Sequence, residues 1–115
     1  MRIVHGCEVY GVEVYEETRC RHWNSPLDII AIKFKCCDRW YPCFDCHSAL
    51  TDHQATVWPR HEFYYPAILC GACGHQLSIK EYQNAHNSCP SCSAAFNPGC
   101  GNHYHLYFEV PIRVD

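Results

Sequence analysis

The sequence has one methionine, six glycines and only nine lysine and arginine residues in 115, and those basic residues are scattered. Clustered Lys and Arg that neutralise phosphate supply much of nucleic-acid affinity, so no nucleic-acid partner is expected. No apolar run approaches the roughly 20 residues that cross a bilayer, and no membrane segment is expected either. The opening Met1-Arg2-Ile3-Val4-His5-Gly6 leads into Glu8, Glu13, Glu16 and Glu17 without the apolar stretch of a secretory signal. No linker or low-complexity stretch divides the chain, so residues 1–115 read as a single domain.

What the sequence has in excess is cysteine, with eleven, alongside nine histidines. Without the cysteines the apolar fraction drops from 48% to roughly 38%, a modest supply for a core. Such a chain needs staples, covalent or metallic. The odd thiol count, the histidines at ligand spacing and the missing signal segment all favour reduced, metal-bound thiols over disulfides.

Twelve residues stand at metal-ligand spacing: Cys20, His22, Cys36, Cys37, Cys43, Cys46, His47, His53, Cys70, Cys73, Cys89 and Cys92. Structural zinc takes four nitrogen or sulfur ligands, so twelve suffice for three tetrahedral sites. With the nine thiols ionised and three zinc ions bound, the formal charge moves from −3 to about −6. Cys70-Gly-Ala-Cys73 and Cys89-Pro-Ser-Cys92 form CxxC-x15-CxxC, the strongest of the signals. Gly71 and Gly74 give the first turn its freedom, and Pro90 stiffens the second.

Cys20 and His22, at i and i+2, point to one side of an extended chain. Cys36 and Cys37 would point to opposite faces of a strand and so suit a bridge between two sites, although an irregular loop could bring both to one ion. Spacing does not fix the pairing. The working split puts Cys20, His22, Cys43 and Cys46 on one ion, and Cys36, Cys37, His47 and His53 on another. Cys43-Phe-Asp-Cys46-His47 also reads as a haem-attachment CxxCH, which would leave the other clustered thiols unexplained. Thioredoxin-like redox chemistry needs a βαβ context for its CxxC, and neither pair begins a convincing long helix.

Outside the dozen, Cys7, Cys100, His103 and His105 (or His5 in place of Cys7) could build a fourth site if the N-terminal hairpin meets the terminal strand. The alternative is that these histidines pack beside Tyr104 and Tyr107. His61, His75 and His86 read as solvated or packing residues. No HExxH is present, and no HxE paired with PCxxC, so catalytic zinc with an open water position is not expected.

The expected fold is a small, irregular α+β zinc-stabilised domain, with short strands and one or two short helices around the metal. Residues 2–15 read as an edge strand or hairpin, and Asp28 to Lys35 as a strand running into Cys36. Phe44 to Thr51 reads as a short helix. Residues 54–66, with two prolines and several aromatics, read as a connection over the metal core. Trp58, Phe63, Tyr64 and Tyr65 there serve either as a lid or as a contact surface. Ser78-Ile-Lys-Glu81 is a capping box opening a second helix to about His86. After the turn at Asn97-Pro-Gly, residues 103–110 read as a terminal strand.

The order CxH, CC, CxxCH, H, CxxC, CxxC resembles the CHY-type zinc-finger family over about Gly11 to Phe108. Thr18-Arg-Cys20-Arg-His22-Trp23, Ile30-Ala-Ile-Lys-Phe-Lys-Cys-Cys37 and Asp45-Cys46-His47 carry the likeness. Trp23 stands where the family has its tyrosine. The resemblance implies that the twelve residues are zinc ligands, with the finger at about 13–95 and a C-terminal strand extension at 96–115. No RING segment follows, so ligase activity is not expected. Phe96-Asn-Pro-Gly-Cys100 and His103-Tyr-His-Leu-Tyr-Phe108 look like the short stand-alone members, among them small bacterial proteins and the fungal helpers of small Tim protein assembly. The resemblance therefore implies a non-enzymatic zinc protein with Zn(2+) at three sites, or four, that handles zinc or assists the folding of cysteine-rich protein partners. A bacterial member would be cytoplasmic and a fungal one would lie in the mitochondrial intermembrane space. The other reading is a protein-interaction module related to the substrate-binding region of RING ubiquitin ligases. No small-molecule substrate is expected.

Overall fold

The computed structural model describes residues 1–23, 25–97 and 107–109. The N-terminal hairpin joins β1 (Arg2–Val4) to β2 (Cys7–Val9). Its two-residue turn, His5-Gly6, takes positive φ at both positions (49° and 81°), the conformation that matches the twist of paired strands. β3 (Ile30–Phe34) and β4 (Arg39–Tyr41) form a second hairpin. α1 (Phe44–Leu50) follows, then β5 (Ile68–Cys70), β6 (Gln76–Leu77) and α2 (Ile79–Asn84).

Among the described residues, the strands make one six-stranded sheet in the order β1-β2-β4-β3-β5-β6. Neighbours are antiparallel except β2 and β4, which meet in parallel at Val9 and Trp40. Alternation along β3 sends Ile30, Ile32 and Phe34 into the main core with Tyr41, Ile68, Leu77 and Phe96. Ala31 and Leu69 turn the other way, against Val4, Val9 and Trp40. The sheet is thus covered on both faces. Among the described residues, no helix is long and apolar enough to cross a membrane.

Three strands, β4, β5 and β6, are additions to what the sequence suggested; each has only two or three residues, too few to show a period. α2 has the expected capping box: the Glu81 amide donates to Ser78 Oγ and the Ser78 amide to Glu81 Oε1, both at 3.0 Å. It ends at Asn84 rather than near His86. His86 and Asn87 instead turn left-handed (φ 52° and 61°), leading into the bridge between Ser88 and Ala95. Of the expected strand at 103–110, only residues 107–109 are described, and they form no strand: Tyr107 is helical and Phe108 makes a single bridge to Trp58, with the Trp58 amide donating to the Tyr107 carbonyl and the Glu109 amide to the Trp58 carbonyl, both at 2.8 Å.

The aromatic connection is built into the core. Trp58 is buried, donates from Nε1 to the Lys33 carbonyl at 2.7 Å, and stacks on Tyr65 at 4.7 Å between centroids. Phe63 packs edge-on to Phe108. Only Tyr64 of the four stands out, at 75% exposure. Three of the four candidate contact residues are therefore spent on holding the lid.

Gly71 is required by close approach rather than by turn freedom. A Cβ there would collide with the backbone of Glu17, in a segment where Glu17 and Thr18 already hold left-handed φ (56° and 67°). Overpacking against backbone costs about 1–3 kcal/mol. Gly71→Ala is expected to destabilise the zinc-saturated protein by that amount in urea unfolding; wild-type stability would show that the approach is slack.

Candidate metal centre

The twelve cysteines and histidines fall into three groups of four, with the ligand atoms of each group within 4.8 Å of one another. The first group is Cys20, His22, Cys43 and Cys46. Cys43 is the N-cap of α1, and its Sγ accepts from the Cys46 amide at 3.4 Å. Cys46 Sγ in turn accepts from the Val12 amide at 3.4 Å. The loop carrying Cys20 and His22 is pinned to the same segment by the Arg21 amide, which donates to the Val12 carbonyl at 3.1 Å. The three thiols are buried, and only His22 is exposed.

The second group is Cys36, Cys37, His47 and His53. Cys36 and Cys37 lie in the turn between β3 and β4, closed by the Asp38 amide on the Phe34 carbonyl at 2.8 Å. A turn lets neighbours face the same way, so both thiols join one group and do not bridge two. His47 is buried, stacked on Phe34 at 4.3 Å with the rings 4° from parallel and edge-on to Tyr41. Thr51 Oγ1 stands 3.5 Å from His47 Nδ1, leaving Nε2 to face His53 and Cys36. Cys46 and His47 are consecutive on α1 yet serve different groups. Adjacent helical residues diverge by about 100°, which is what two groups flanking one helix need.

The third group is Cys70, Cys73, Cys89 and Cys92. Cys70 ends β5 and Gly74 turns left-handed (φ 86°). The His75 amide donates to Cys73 Sγ at 3.5 Å and the Ser91 amide to Cys89 Sγ at 3.4 Å. These amide donors, with Thr51 and Phe34, are parts of the centres that ligand spacing did not disclose. The amide two residues beyond a cysteine, His75 after Cys73 and Ser91 after Cys89, is the one signal that was available in the sequence.

The sulfur–sulfur separations fit zinc, while Cys36 Sγ to His47 Nε2 is shorter at 3.1 Å and Cys20 Sγ to His22 Nδ1 longer at 4.0 Å. A tetrahedral ion with Zn–S near 2.3 Å sets its sulfurs about 3.8 Å apart, and a sulfur and an imidazole nitrogen about 3.6 Å apart. Cys20 and Cys43 lie at 3.7 Å, Cys36 and Cys37 at 3.8 Å, Cys70 and Cys92 at 3.8 Å, and Cys73 and Cys89 at 3.7 Å. His22 Nδ1 is 3.5 Å from both Cys43 and Cys46. The sulfurs are far from the roughly 2.05 Å of a disulfide. Soft sulfur, alone or with imidazole, at tetrahedral spacing is a donor set that suits zinc.

Cys7, half-buried on β2, touches Gln76 Nε2 at 3.5 Å and joins no group among the described residues. Cys100, His103 and His105, its suggested companions in a fourth site, lie outside the described residues. His5 is a packing residue that donates from Nε2 to the Gly71 carbonyl at 2.8 Å. His61 and His75 sit beside Glu62 and Glu81, at 3.9 and 3.7 Å.

Proton affinities in the metal-free groups show what a cation must displace. Hydrogen bonding within the first group holds the Cys20 thiol low while raising Cys43 and pushing Cys46 up to about 11. Burial raises Cys70. Burial also lowers His47, with His53 adding to it, and so keeps the imidazole in its neutral, ligating form. Thiols raised in this way are protonated at neutral pH and must release protons when metal binds. Zinc affinity is therefore expected to fall on acidification, by about tenfold per pH unit for each proton released. Competition titrations between pH 6 and 8 check this, and a flat profile would show that the thiols are already ionised.

Comparison with known proteins agrees with the geometry. The CHY zinc finger pattern matches residues 20–104. Helper of Tim protein 13 of Saccharomyces cerevisiae is 44% identical over 106 residues, covering 90% of this chain and 91% of that one. Its namesake in Kluyveromyces lactis is 41% identical over 101 residues, 88% of each chain. An uncharacterized protein of Schizosaccharomyces pombe matches at 41% over the same length and coverage. With that pattern spanning most of the chain, and the Cys/His groups at zinc spacing, this is a zinc-binding protein, and it belongs to the CHY zinc-finger family.

Proposed function

We propose that this protein is a non-enzymatic helper that holds three zinc ions, one in each group of four, and handles zinc for cysteine-rich protein partners during their assembly. The observation that carries the reading is three complete four-donor groups at tetrahedral spacing. Four protein donors per ion leave no position for a reactive water, which supports a non-enzymatic role. Two fungal relatives that match over most of their length bear the name Helper of Tim protein 13. By that likeness the partners are small Tim proteins, the compartment is the mitochondrial intermembrane space, and residues 1–115 act as one domain.

Native mass spectrometry is expected to count three zinc ions per chain. A count of four would call for Cys7 with Cys100, His103 and His105. Any disulfide among the twelve ligands would sink the scheme. Mixing the zinc-loaded protein with a zinc-free cysteine-rich acceptor is expected to move zinc at a rate that rises with acceptor concentration. Transfer capped at the rate of spontaneous release would leave zinc a purely structural role.

A further inference from the structure

We propose that the third group, Cys70, Cys73, Cys89 and Cys92, is the exchange point for zinc, with Cys73 and Cys92 as the thiolates that leave and return. The proposal rests on the handling role set out above and names the atoms that perform it.

Each CxxC of this group has the same asymmetry. The first cysteine is buried, Cys70 at 0% and Cys89 at 2% exposure, while the second lies toward solvent, Cys92 exposed and Cys73 less so. One side of the tetrahedron is therefore anchored in the core, Cys70 within β5 paired to Ile30 of β3. The other side faces solvent. An incoming thiol must approach the ion beside the ligand it displaces, and an exposed ligand leaves such a path.

The other groups offer no exposed thiol for this step. In the first, the thiols are 0 to 4% exposed and the exposed member is an imidazole, His22. In the second, the exposed member is again an imidazole, His53, and the two thiols are half-buried. Charge points the same way. Four thiolates around a divalent ion carry about −2, three with an imidazole about −1, and two with two imidazoles about zero. The tetrathiolate sulfurs are the most electron-rich and so the most basic, best able to take up the proton of an incoming thiol.

The step is a ligand exchange without redox change. The sulfur of a partner thiol bonds to zinc as the bond from zinc to Cys92 breaks, and the proton of the partner thiol passes to the released Cys92 sulfur. Repetition at Cys73 leaves the ion shared between two buried anchors and two partner thiolates. The fitting partner is an extended, reduced segment with two or more cysteines. Run in reverse, the same exchange takes zinc from such a segment.

The test uses the zinc-loaded full chain. Limited N-ethylmaleimide treatment is followed by acid quench and site-resolved mass spectrometry, with Cys7, outside the three groups, as the internal standard. Cys73 and Cys92 are expected to be labelled at least about tenfold faster than Cys20, Cys36, Cys37, Cys43 and Cys46, with loss of one zinc per chain. Equal rates, or earlier labelling of Cys36 and Cys37, would overturn the assignment. A second arm adds a zinc-free four-cysteine peptide and labels the thiols that transfer exposes. Acceptor-dependent transfer that frees Cys36 and Cys37 would overturn the assignment and leave the handling role intact. No acceptor-dependent transfer from any group would overturn the handling role and the exchange with it.

Discussion

Thiols held 3.7 to 3.8 Å apart in groups of two, three or four are an unstable arrangement without a cation among them. As neutral thiols they gain only weak hydrogen bonds, and as thiolates they repel. A divalent ion converts that repulsion into attraction, and in small domains the binding energy of the ion becomes folding energy. The remainder of this fold is arranged around that fact. Among the described residues, the strands are two to five residues long and the α-helices six and seven, lengths that would not persist alone in water.

The metal groups and the apolar core are not separate layers. Phe34 ends β3 in the core and lies flat on the His47 ring, so a member of the second group doubles as a packing surface. Cys70 belongs to the sheet and to the third group at once. Cys43 caps α1 while contributing sulfur to the first. Removing metal therefore loosens a strand end, a helix start and a hairpin turn together, which is why the modest apolar content of the chain is sufficient.

Much of the centre was legible because ligand chemistry is local: CxxC, CxH and a capping box announce themselves within a few residues. The split between the first two groups could be guessed from the chain and is matched by the grouping of donor atoms. The geometry at Cys36-Cys37 was harder. The strand before them suggests opposite faces, and only the tight turn to Asp38 reverses that. The order of the sheet was beyond sequence reasoning, since β4, β5 and β6 are too short for a period and their pairing is fixed by long-range contacts. Trp58 and Tyr65 were ambiguous for a similar reason, because an aromatic-rich connection looks alike whether it covers a core or awaits a partner.

The adjacency of Cys46 and His47 reaches further than the two groups it feeds. A single peptide bond links neighbouring metal environments through the first turn of α1. Adding one residue between them would rotate everything beyond by about 100°, so this stretch tolerates no change of length. It also makes the two environments mechanically one body. Ordering the start of the helix for the first group also sets His47 in place for the second, while the group in residues 70–92 draws on neither.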